Sequence, residues 1–134
     1  MAKRSLEPRW LSRIVVDAIH HDQLREHGGL AGIRDENVLE SALARPRQKW
    51  HYSESTDLAT LAAAYGFGLV KNHPYRDGNK RIGFLAMITF LGMNGRDLRA
   101  SDTEVVTEIV ALADGSVSEE ELAAWIRRHS ARRR

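Results

Sequence analysis

The segment HPYRDGNKRIG, from His73 to Gly83, gathers a histidine, a carboxylate, an amide, a lysine and two arginines around one proline and two glycines. Neither a core-forming stretch nor a plain connector has that composition. Imidazole is the side chain that titrates near neutral pH, so His73 suits a general base acting on a hydroxyl. Asp77 offers hard oxygen ligands, and magnesium often takes only one or two carboxylates when a nucleotide's phosphates supply the rest. Gly78 lets backbone approach a ligand closely. Asn79 can donate from its amide, and Lys80 and Arg81 add full positive charge, with arginine able to pair phosphate oxygens through two donors. A base, a metal ligand and an anion cradle are the parts of phosphoryl-type transfer. Each residue also has a plainer reading. His73 could end a helix by satisfying backbone carbonyls, Asp77 could be an N-cap, which does not exclude metal binding, and Lys80 and Arg81 could form a solvated first turn. The last is unattractive, because positive charge at a helix N-terminus opposes the dipole unless an anion is bound.

Positioning such a group takes a loop between two helices, and the flanking sequence reads as helical almost throughout. A first helix is expected from Leu11 to Glu26, burying Ile14, Ala18, Ile19 and Leu24, and stopped by the glycines after His27. A turn, AGIRD, follows, and Asp35 caps a short helix carrying Val38, Leu39, Ala42 and Leu43 that Pro46 ends. Residues 45–55 read as an exposed loop or small hairpin. A third helix spans about Asp57 to Asn72 and ends before Pro74, since the residue preceding proline is pushed out of the helical region. The fourth, Asn79 to Asn94, is apolar nearly all round and is expected to be the central buried helix. SDTE at Ser101 and SEEE at Ser118 are capping-box patterns for a fifth and a sixth. The fold class is therefore all-α: a compact bundle of about six helices around a central buried helix, with room for one hairpin near residues 45–55.

The chain has 134 residues, 43% hydrophobic and 28% charged, which suits one soluble domain with its own core. It has no cysteine, so disulfides and thiolate metal sites are excluded. The N-terminus shows no apolar signal-peptide core, and the longest apolar run, Ile82 to Met93, is too short to span a bilayer. A cytoplasmic protein with no membrane partner is expected. The net charge of +2 is concentrated: Arg127, Arg128, Arg132, Arg133 and Arg134 alone carry +5. Residues 127–134 are read as a solvated basic tail on a domain of residues 1–126, and nucleic acid is not the expected partner. His20, His21, His27, His51 and His129 are read as surface residues.

HPYRDGNKR resembles the Fic motif, His-x-Phe-x-Asp/Glu-Gly-Asn-Gly-Arg-x-x-Arg, which lies on a loop before a central helix. Tyr75 stands at the Phe position, Lys80 at the second Gly and Phe84 at the final Arg. Asn-Lys-Arg and the missing last Arg are the pattern of the Doc (death-on-curing) branch, although Gly78 is the Fic-like choice where many Doc proteins have Ala. His27 to Pro46, and Leu61 through the FLGMNG helix end, are also similar to Doc-type toxins, so the resemblance covers residues 10–100. It implies a toxin that transfers the γ-phosphate of ATP, with Mg2+, to a threonine of elongation factor Tu and arrests translation. It also implies control by a Phd-like antitoxin whose disordered tail folds onto the toxin. By the same resemblance His73 is catalytic, Asp77 holds the metal, and Gly78, Asn79, Lys80 and Arg81 bind the nucleotide's phosphates. Arg47, Lys49, Trp50 and Tyr52 fall where such folds carry a flap that holds the target's backbone; read alone, they could also be a nucleic-acid patch. Lys80 would crowd the backbone nest that Fic enzymes use for AMP transfer, which fits a nucleotide held in another orientation. Transfer of AMP is the alternative activity, and a non-enzymatic binding module built on the arginine tail is the second alternative.

Overall fold

A computed structural model describes residues 6–133. Six helices account for most of it: α1 (Arg13–His27), α2 (Glu36–Tyr52), α3 (Leu58–Asn72), α4 (Asn79–Met93), α5 (Asp102–Asp114) and α6 (Glu119–His129). Two short strands, β1 (Arg96–Leu98) and β2 (Ser130–Arg132), pair antiparallel with Arg96 opposite Arg132 and Leu98 opposite Ser130. The all-α reading holds, and one continuous apolar cluster, centred on Leu61, Tyr65, Leu69, Met87 and Phe90, forms the core. Among the described residues no helix is long and apolar enough to cross a membrane.

The most enclosed helix is α3 rather than α4. Ten residues of α3 are buried against seven of α4. Its small residues explain why: a Cβ on Gly66 would overlap the Met87 sulfur, and one on Gly83 of α4 would overlap Val70. The two helix backbones therefore cross closely, and the six-residue link between them, 73–78, is held at one end of that crossing.

Most helix starts follow from their caps. Ser12, Asp35 and Asp57 accept the N–H groups of Val15, Val38 and Thr60, and Ser101 and Ser118 form full capping boxes with Glu104 and Glu121. Three further expectations need correction. The second helix does not end at Pro46 but continues to Tyr52, so residues 45–52 form neither loop nor hairpin. Pro46 loses one backbone hydrogen bond, yet Leu39, Ala42, Pro46 and Trp50 form a single buried stripe that runs through it. Arg45 and Lys49, one turn apart, both pair with the buried Glu119 of α6 and tie the second half of the helix down. The first helix buries Val16 and His20, while Ile14 points outward, 81% exposed. Finally, residues 127–133 are not a free tail. Arg127, Arg128 and His129 complete α6, Arg132 lies in β2, and Arg133 bonds Asp97 at 2.9 Å. Arg134 lies outside the described residues.

Candidate active site

His73 caps the C-terminus of α3 in a left-handed conformation (φ 50°), the only non-glycine residue among those described with positive φ. The following Pro74 excludes the helical region at this position, and the strain is held by neighbours. The Arg34 guanidinium donates to the carbonyls of Asn72 and His73, while the N–H groups of Arg34 and Asp35 donate to the Pro74 carbonyl at 2.8 and 3.1 Å. Arg34 thus satisfies the helix end, and the exposed His73 ring takes no part in it. That removes the reading of His73 as a residue present to cap carbonyls.

Asp77 immediately precedes α4. Its Oδ2 accepts the N–H of Leu30 at 3.1 Å and its Oδ1 the N–H of Gly78 at 2.8 Å. Those two donors, with the nearby Arg81 charge, hold its carboxyl below the usual range and keep it ionised. Gly78, left-handed at φ 76°, is the N-cap and makes no side-chain capping bond, and the first turn holds no acid. Lys80 and Arg81 project from that turn, exposed and without an ion pair among the described residues. Asn79 does something else. Buried at 8% exposure, it accepts from the Tyr75 N–H at 3.0 Å and donates to the Tyr75 carbonyl at 2.9 Å. Its amide closes the loop on itself instead of offering donors to a ligand.

The segment that faces the motif is 28–34, which takes in the glycines expected to stop the first helix and most of the AGIRD turn expected after them. Ile33 bridges Tyr75, the Arg76 N–H donates to the Gly32 carbonyl at 3.0 Å, and the Leu30 N–H reaches Asp77. Gly29, at φ 121°, leaves room for this: a Cβ there would lie 2.7 Å from the Asp77 carboxylate. The expected flap residues are elsewhere. Trp50 is buried edge-on against Trp10, Arg47 lies over the Trp10 ring, Lys49 pairs with Glu119, and Tyr52 is solvent-exposed. They sit where α2 turns into α3, so the length of α3, about 22 Å at 1.5 Å per residue, separates them from His73. A hollow of 760 Å³ lined by Pro8, Trp50, Asp57, Arg96 and Arg127 is at that same far end.

Beneath the loop lies a layer that sequence reasoning missed. His20, expected at the surface, is 5% exposed, stacks on Tyr75 and donates to the Asp77 carbonyl at 2.8 Å. The Tyr75 hydroxyl donates to Asp17 at 2.7 Å, and burial, with the Asp17 carboxylate, pushes its pKa well up. Arg13 bridges Asp17 to Glu36 and Glu40, and those carboxylates raise its pKa further. His129 is also partly covered and bonds the Trp125 carbonyl and Glu104. The histidine contacts arise between residues distant in sequence or from a helix end, and no local pattern announces them.

A family model described as Fic/DOC family matches residues 10–91. The chain is similar to the protein kinase doc of Escherichia phage P1, 31% identical over 111 residues, or 83% of this chain and 87% of that protein. It is also similar to the toxin Doc of Mycolicibacterium smegmatis, 39% identical over 74 residues, covering 54% of this chain and 57% of that one.

Proposed function

The chain belongs to the Fic/DOC family, and from that premise we propose that it is a Doc-like toxin that transfers the γ-phosphate of ATP to a hydroxyl of a protein target. The observation that carries the reading is the N-terminus of α4. It alone among the six helices has no side-chain cap, it gathers Lys80 and Arg81 where acids are usual, and it stands beside an ionised Asp77 and an unengaged His73. An N-terminus so arranged is stabilised by a bound anion.

In the proposed reaction the acceptor hydroxyl approaches His73, whose ring takes its proton as the oxygen bonds to the γ-phosphorus. The bond from that phosphorus to the bridging oxygen breaks, and ADP leaves. Lys80, Arg81 and the free N–H groups of the first turn hold the phosphates and offset the charge that builds on them. Asp77 fits a magnesium ion carried by the nucleotide: each of its oxygens accepts only one backbone N–H and so keeps a lone pair free. No cluster of three His, Cys, Asp or Glu residues stands among the described ones, so the phosphates would complete the coordination, as is common for magnesium. When bound, the ion would screen the phosphate charge. By the Doc resemblance the target is a threonine of elongation factor Tu, and a Phd-like antitoxin restrains the enzyme in the cytoplasm.

Transfer of AMP is the second reading. Gly78 favours it; Lys80 and Phe84, at the nest and clamp positions, oppose it. Incubation of the protein and a cell lysate with ATP labelled at the γ or the α position separates the two. Label from the γ position is expected on protein. Label from α only would establish the second reading, and label from neither would overturn both. His73→Ala should lower transfer by about 10²–10⁴-fold, the usual contribution of a general base, with the melting temperature kept; near-normal turnover would refute the assignment.

A further inference from the structure

His20 precedes Asp77 by 57 residues and lies on α1, yet among the described residues it makes the one side-chain hydrogen bond to the backbone of the Asp77–Gly78 step from outside the loop. A carbonyl only accepts, so Nε2 carries the hydrogen, whether the ring is neutral or charged. The ring cannot swing away freely. It lies nearly parallel to Tyr75, 15° between planes and 3.7 Å between centroids, and Tyr75 is itself fixed through its hydroxyl to Asp17.

The peptide between Asp77 and Gly78 is trans, so its carbonyl and its N–H point in opposite directions. Holding the oxygen toward His20 turns the Gly78 N–H away from α1, and there it meets Asp77 Oδ1. The second carboxylate oxygen is fixed by Leu30. We infer that His20 is a positioning residue: acting through the Asp77 carbonyl, it sets the peptide plane in which the Gly78 N–H holds Asp77 Oδ1, and so aims the Asp77 carboxylate at the magnesium ion that the nucleotide's phosphates would carry. This rests on the proposed function only in taking that end of the loop as the phosphate site.

Three substitutions separate the roles of the ring. Gln carries an N–H at about the reach of the imidazole Nε2, Asn stops near the reach of Nδ1, and Phe keeps the stack without a donor. The readouts are MgATP binding by calorimetry, solvent exchange of the Gly78 amide by NMR, and a melting curve. His20→Phe is expected to weaken MgATP binding and to speed Gly78 exchange, each roughly tenfold, the scale of one lost hydrogen bond. His20→Gln should recover most of both, and His20→Asn should not. A role confined to packing would let Phe match the wild type in both readouts, and that result overturns the inference. So does Gln performing no better than Asn, a comparison that decides alone if the Phe variant does not fold. Asp77→Ala is the control. If it binds MgATP as tightly as the wild type, the functional reading fails, while Gly78 exchange in the His20 variants still decides whether this ring holds the peptide.

Discussion

Lys80 and Arg81 stand in the first turn of α4, where the helix dipole disfavours cations, and that turn itself holds no acid to relieve them. Two cations held there against the dipole fit the proposed anion site. Lys80 takes the place of the small glycine in the Fic pattern, so Lys80→Gly removes a charge from the proposed phosphates. Charged hydrogen bonds of that kind are worth about 1.5–3 kcal/mol, and γ-phosphate transfer should fall roughly tenfold to a hundredfold. AMP transfer should not appear from this change alone, because Phe84 still fills the clamp position. Phe84 packs against the core and lines a small hollow with Ile88 and Arg96, so the double variant with Phe84→Arg needs a melting curve before its activity is read. If the folded double variant transfers phosphate as before and no AMP, loop sequence does not decide nucleotide orientation. The motif itself was legible because its chemistry is contiguous in the chain. The roles of Asn79, Gly29 and His20 were not: Asn79 turns inward only once the loop closes on Tyr75, and the other two act on a residue that folding brings to them.

Helix caps were the most readable elements, since Ser or Asp with a partner three residues on is a local signal. Asp57 shows what such a residue does after folding. It caps α3 through Thr60 and pairs with Arg127 of α6 at 2.7 Å. Burial alone would raise its pKa, but the hydrogen bonds from Arg127 and Thr60 prevail and lower it to about 2. A folded value below the unfolded one means stability that is complete above about pH 4 and is lost as pH falls through about 2. The pair is nearly half exposed, so its worth is at most about 1 kcal/mol. Asp57→Asn keeps a capping oxygen and loses the charge; it should melt slightly below the wild type at pH 7 and converge with it near pH 2. Asp57→Ala also loses the cap and should cost about 1 kcal/mol more. Equal stability of Asn and Ala variants at pH 7 would show that the cap contributes nothing. Elements set by distant contacts were the ones misread. Pro46 predicts a helix end on local grounds, and only Glu119, from another helix, reveals why α2 continues. Strands of three residues carry no alternation to read, and β1 and β2 lie more than thirty residues apart.

At the scale of the whole molecule, the C-terminal arginines and the motif occupy opposite ends of α4, about 22 Å apart along its axis. β1 follows the C-terminal end of α4, and β2 brings Arg132 and Arg133 to it. The Arg133 N–H donates to the Gly95 carbonyl at 2.8 Å, and its guanidinium bonds Asp97 and the Gly92 carbonyl. These contacts make the basic end part of the fold, and they set structural work against the binding-module reading for the same residues. Deleting Arg132 to Arg134 removes two or three hydrogen bonds and one exposed ion pair, a loss of about 1–3 kcal/mol. For a domain of this size that corresponds to a melting temperature lower by roughly 3–9 °C. Transfer measured well below the transition should match the full chain, because the contacts of Arg132 and Arg133 lie at the β1 end of α4 and not at the 73–81 segment. Two outcomes would contradict this account. An unchanged melting temperature would mean that the small sheet contributes no stability. A folded truncation that no longer transfers phosphate would mean that the arginines contact the target, and the separation of the two ends by α4 would then be a separation of target contact from chemistry.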